Sequence, residues 1–114
     1  MVVKVEFEDD VLILTLGEKY TVTTIAEIME VVDAEERLKG INHVIVDCGS
    51  LKELDNFGGE FFILKEKLNP ENFLFSGLDE KLVPIVNVFS QDWFGEDITN
   101  LPTREEAMGL IKKL

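Results

Sequence analysis

The sequence predicts an α/β domain, on three observations. Two apolar segments near the N-terminus flank an acidic pair and read as adjacent antiparallel strands. An amphipathic helical pattern then leads to a short apolar strand, the arrangement of a strand–helix–strand crossover packed on a sheet. The chain has 114 residues, about one domain, and no linker, low-complexity tract or repeat divides it, so residues 1–114 are expected to form one unit.

Val2 to Phe7 alternates, with Val3, Val5 and Phe7 facing one way and Lys4 and Glu6 the other, which predicts a half-buried strand. Asp9-Asp10 reads as a turn. Val11 to Leu16 is nearly continuous in apolar residues, the mark of a strand buried on both faces. Thr24-Ile25-Ala26-Glu27 has the form of a capping box, in which Thr24 would accept from the third amide of the helix and Glu27 would reach back. Ile25, Ile28, Met29 and Val32 follow at helical spacing, predicting a helix over 24–39 that stops at Gly40. Ile41 to Asp47 is expected to hold a buried strand around Val44-Ile45-Val46.

Gly49 to Asn56 reads as a loop. From Phe57 the spacing of Phe57, Phe61, Leu64 and Leu68 predicts a helix capped by Asp55 or Asn56 and closed by Pro70. Residues 71–101 are ambiguous. Asn72 to Phe75 suits a strand. Leu82 to Val88 is dense in β-branched residues and is assigned to a strand, although Leu82, Val86, Phe89 and Trp93 also fall at helical spacing and Pro84 fits neither a helix interior nor a central strand. A helical turn is expected at Ser90 to Phe94 and a strand at Ile98 to Leu101. Thr103-Arg104-Glu105-Glu106 is a second capping box, opening a helix with Ala107, Leu110, Ile111 and Leu114 on its apolar stripe.

Composition excludes several functions. Eleven basic against 23 acidic residues give a net charge of −12, and the basic residues are scattered beside acids. Nucleic acid and anionic membranes require clustered Lys and Arg, so neither is an expected partner; a basic protein would be steered to this surface. No apolar run approaches the ~20 residues of a membrane span. The acidic segment Met1 to Asp10 does not read as a signal peptide. One cysteine allows no internal disulfide, which fits a reducing, cytoplasmic location.

Catalytic chemistry is poorly supplied. The single histidine, His43, has no nucleophile or orienting group suggested nearby, and Cys48 lacks a Cys-x-x-Cys partner and sits beside Asp47. No nucleotide-binding glycine loop is present, and Gly58-Gly59 alone is not a phosphate cradle. The expectation is no enzyme, no catalytic residue, no metal site and no cofactor. The aromatics Phe73, Phe75, Phe89, Trp93 and Phe94 could line an apolar cleft against the 49–57 loop or belong to the core.

The stretch from Val44 through Asp47, Asp55 and Asn56 to Gly58-Gly59 resembles the central motif of STAS domains, the bacterial anti-sigma-factor antagonists. In that motif a buried strand ends in Asp, and an Asp-Ser-[Ser/Thr]-Gly turn opens the next helix. Leu101 to Ala107 is similar to the family's final strand-to-helix junction. The resemblance implies a mixed four- to five-stranded sheet with helices mainly on one face. It further implies transcription regulation through a protein partner, an anti-sigma factor that is also a kinase. That partner would meet Asp55, Asn56, Phe57, Gly58 and Gly59. In the family the Ser after the Asp is phosphorylated, and the added charge and bulk block binding. Here that position is Asn56, followed by Phe57, and neither carries a hydroxyl. Phe57 would be either an exposed docking anchor or a cover for the core. The alternative function is a STAS-type module binding an apolar molecule or lipid.

Overall fold

The computed structural model describes residues 3–113; the expectations for Val2 and Leu114 lie outside them. The elements are β1 (Val3–Glu8), β2 (Val11–Leu16), β3 (Lys19–Tyr20), α1 (Val22–Asp33), α2 (Glu35–Leu38), β4 (His43–Asp47), β5 (Glu53–Leu54), α3 (Phe61–Leu68), β6 (Asn72–Ser76), α4 (Val83–Phe94), β7 (Thr99–Leu101) and α5 (Arg104–Lys112). Five strands form one mixed sheet in the order β1-β2-β4-β6-β7. β1 runs antiparallel to β2, and the other pairs are parallel. β3 and β5 make a separate two-residue parallel ladder.

Strand parity explains the apolar run Val11 to Leu14. Leu12, Leu14, Val44, Val46 and Phe75 are buried in one cluster with Ile28 of α1, Phe61, Phe62 and Leu64 of α3 and Val86 of α4. Val11, Ile13, Ile45 and Leu74 occupy the opposite face beneath Ala107 and Ile111 of α5. Both faces of the central strands are thus covered, the second by α5. Each fully buried Leu, Ile or Phe contributes about 1.5–3 kcal/mol, so this two-sided burial is what holds the sheet.

Three local expectations are corrected. Residues 83–88 are helical, within α4, with Leu82 as its N-cap, and do not form a strand. Pro84 falls in the first turn, where its missing amide has no helical partner to lose, so the ring is compatible with the helix. The packed side of α4 buries Val86 and Ser90, whose hydroxyl donates to the Glu96 carbonyl at 2.6 Å. The helical spacing through Val86 therefore outweighs β-branching.

The first long helix starts earlier than Thr24 and is broken. Thr21 is the N-cap, and its amide donates to Thr24 Oγ1 at 3.0 Å; Thr24, fully buried, in turn donates to the Lys19 carbonyl. Glu27 does not reach back to the cap; its Oε2 accepts from the Val3 amide at 2.9 Å. At Ala34 the chain leaves the helix with ψ 62. This break lets Leu38 of α2 bury itself and sets Arg37 over the Phe7 ring, 4.6 Å from its centre. At α5 half of the expected box forms: Thr103 accepts from the Glu106 amide at 3.2 Å, with no return bond from Glu106 to the cap among the described residues. The third correction concerns the start of α3 and lies within the candidate site.

Candidate functional site

The chain leaves β4 at Asp47, whose Oδ1 accepts from the Gly49 amide at 3.0 Å and fixes the first bend of the following loop. The loop is then stitched to residues 18–20. The amides of Lys52 and Glu53 donate to the Glu18 carbonyl, and those of Asp55 and Asn56 to the Tyr20 carbonyl at 3.0 and 3.2 Å. These bonds make the β3–β5 ladder, which strand periodicity cannot reveal because each strand has only two residues.

Asp55, Asn56, Phe57, Gly58 and Gly59 do lie together, on a loop and not on a helix end. α3 begins at Phe61 with Glu60 as its N-cap, so the expected start at Phe57 with Asp55 or Asn56 as cap is corrected. Gly59 has φ +77, which interrupts any helical path from Phe57 and strains every residue but glycine. A side chain there would also press on Phe89, with a Cβ only 3.1 Å from its Cδ1. The amides of Asp55 and Asn56 are committed to Tyr20. Asn56 is consequently removed from the dipole of α3, which fades within the first helical turn.

The loop rests on an aromatic base. Phe57 is half-buried, its ring 5.0 Å from Tyr20, 4.9 Å from Phe61 and 4.8 Å from Phe89. Its ring covers the core from above. Asp55, Asn56 and Gly58 are exposed. Beneath them the Tyr20 hydroxyl donates to Glu60 Oε1 at 2.7 Å, and the same oxygen accepts from the Gly58 amide at 3.0 Å. Burial, reinforced by the Glu60 carboxylate, pushes the Tyr20 phenol well above its ordinary range, so it remains a donor. Tyr20, Glu60 and Phe89 complete the site. Nothing in the local sequence marks them, because they come from three separate segments.

No family model matches the chain, and no curated protein matches it in sequence. Solved structures do match. The anti-sigma factor antagonist SpoIIAA in its unphosphorylated form aligns with a TM-score of 0.76 at 14% identity, over 98% of this chain and 97% of that one. The chain has the anti-sigma factor antagonist fold. A variant of RsbS from Moorella thermoacetica aligns with a TM-score of 0.71 at 16% identity, over 97% of this chain and 95% of that one. A chain of the stressosome, a signal integration and transduction hub, aligns at 0.68 and 16% identity, over 96% of each. At these identities the likeness is one of fold, the fold that the STAS-like motif implied.

Within this fold the two groups considered for catalysis, Cys48 and His43, are both buried. Cys48 is buried, and desolvation followed by the Asp47 charge pushes its thiol far above the ordinary range, away from the reactive thiolate. His43 is buried on β4, its Nδ1 3.1 Å from Asn72 Nδ2 and its Nε2 3.6 Å from Asp10 Oδ2. Asn42 donates to that same Asp10 oxygen at 2.9 Å and holds the carboxyl below its usual range. Phe62 packs against Phe73, Phe75 and Phe94, so these aromatics interlock with α3, whereas Trp93 is exposed. Among the described residues no helix is long and apolar enough to cross a membrane, and no cluster of three or more His, Cys, Asp or Glu could hold a metal ion.

Proposed function

We propose that this chain is a non-enzymatic regulatory domain, spanning residues 1–114 and cytoplasmic, that docks a protein partner of the anti-sigma-factor kind through the loop Asp55 to Gly59. The observation that carries this reading is the loop's construction. Asp55 and Asn56 are presented to solvent on a backbone held from below by Tyr20, Glu60 and the Phe57 ring. Such a braced loop loses little freedom on binding, which favours recognition. The fold supports the same reading, since it is shared with SpoIIAA, an anti-sigma factor antagonist.

The domain works without a serine switch at position 56. Asn56 has no hydroxyl, so its partner contact is constitutive with respect to phosphorylation there. A negative group introduced at this position stands beside Asp55, away from the α3 terminus, and would be desolvated without a partner in a closely fitted contact.

A partner captured from lysate of the source cell, then titrated by calorimetry, tests this. Wild type and Asn56→Ser are expected to bind alike, and Asn56→Asp more weakly by about 1–3 kcal/mol. Equal affinity for wild type and Asn56→Asp removes the loop from the interface.

A further inference from the structure

We propose that the outer edge of β1 pairs with the same edge of a second copy of this chain, antiparallel about Val5, so that two sheets join across a two-fold axis. β1 is the end strand of the sheet, with no strand beyond it among the described residues. The Val3 amide points away from β2, because it donates to Glu27 Oε2 on α1 at 2.9 Å. Alternate residues of a strand share that direction, so the amides and carbonyls of Val5 and Phe7 face the same open side.

The charge pattern selects both the occupant and the register. With Val5 facing Val5 of the second copy, Lys4 faces Glu6 and Phe7 faces Val3 across the axis. A slide to either neighbouring register that still aligns the open groups sets Lys4 against Lys4 or Glu6 against Glu6, and like charges directly opposite are destabilising. Arg104 already grips Glu6, and Lys4 lies 3.7 Å from it within the chain. This face of the edge therefore sets Lys4 and Arg104 against Glu6 and Glu8, a balance that favours neither a basic nor an acidic strand but matches its own reverse.

The helix side of the edge is self-complementary in the same register. Glu27 marks the Val3 end of β1, and Arg37, 4.6 Å from the centre of the Phe7 ring, marks the other. Between them a groove of about 270 Å³ is lined by Val5, Glu30, Val31 and Ala34. The axis brings Phe7 of the second copy to Val3, and so brings its Arg37 to Glu27 and Glu30. The Phe7 ring, 36% exposed, and the half-buried Val5 are covered by the same approach. The Val3 amide stays with Glu27, so the ladder rests on the Val5 and Phe7 amides, which donate to the Val5 and Val3 carbonyls of the opposite copy.

Two exposed charge reversals test this, Arg37→Glu and Glu30→Arg. Each alone sets like charges together twice across the axis, whereas the equimolar mixture restores opposite charges at both places. The net charge of −12 on each copy opposes association in dilute salt, so association is followed at about 0.15 M, where the screening length is about 8 Å. In sedimentation velocity, wild type is expected to dimerise, each variant alone to associate about fivefold or more weakly, and the mixture to recover. In ¹⁵N-labelled wild type, amide exchange at Val5 and Phe7 should slow by about tenfold between dilute and concentrated protein. Wild type that stays monomeric at about 1 mM, or a mixture no more associated than its parts, overturns the proposal. So does a dimer in which exchange slows elsewhere and not at Val5 and Phe7. Slowing at these amides only when a peptide alternating valine and serine is added gives the edge to another chain, and likewise overturns it.

Discussion

The Tyr20 hydroxyl donates to Glu60 Oε1 at 2.7 Å across a separation of 40 residues. Because the same carboxylate oxygen receives the Gly58 amide, one side chain ties the start of α1, the exposed loop and the cap of α3. Tyr20→Phe keeps the buried ring and removes only this tie. The variant is expected to lose about 1–2 kcal/mol in denaturant melts, the range for a partly exposed bond to a charged acceptor. Amide exchange at Gly58 should rise with it. An unchanged melt would mean that the aromatic base alone holds the loop.

Gly59→Ala combines two costs, the positive φ and the approach of a new Cβ to Phe89. Gly40 offers a control, since its φ is +80 but nothing lies within 4 Å of an added methyl. Gly40→Ala is expected to lose about 1–2 kcal/mol from backbone strain, and Gly59→Ala clearly more. Equal losses in urea unfolding would show that Phe89 yields without cost.

Thr103→Ala removes the acceptor for the Glu106 amide and is expected to cost about 1 kcal/mol. Thr24→Ala acts differently. Its hydroxyl is buried and bridges the Thr21 amide to the Lys19 carbonyl, so its loss leaves both without that partner, at about 1–3 kcal/mol. Chemical denaturation of the two variants should therefore rank Thr24→Ala as the more damaging.

Acid sensitivity is expected to centre on Glu6. Arg104 grips its carboxylate with two bonds, Nη1 to Oε1 at 3.0 Å and Nη2 to Oε2 at 2.9 Å. The hydrogen bonds from Arg104 hold the Glu6 carboxyl below its ordinary value of 4.5. A depressed carboxyl stabilises the fold fully above the unfolded value and loses that contribution as pH falls through the folded one. Wild type should therefore exceed Arg104→Gln in stability at neutral pH, and the gap should close below pH 4.5. Thermal melts across that window check the sign; a gap independent of pH would assign the effect of Arg104 to packing.

The alternation of the first strand, the two-sided apolar run of the second, the crossover into β4 and the cap at Thr103 were determined by the sequence itself. Each rests on a period or a short-range bond contained in one segment, so no distant residue is needed to read it. The 55–59 loop and α4 were decided by tertiary structure. Phe57 is at helical spacing with Phe61, but Gly59 turns the chain and Phe57 inserts among Tyr20, Phe61 and Phe89. Residues 82–88 combine strand propensity with helical spacing, and the helix prevails because it buries Val86 and Ser90 while Pro84 sits in the first turn. Where local preferences nearly balance, a few kcal/mol of long-range burial selects the conformation. That burial comes from residues far away in the chain, which no local pattern encodes.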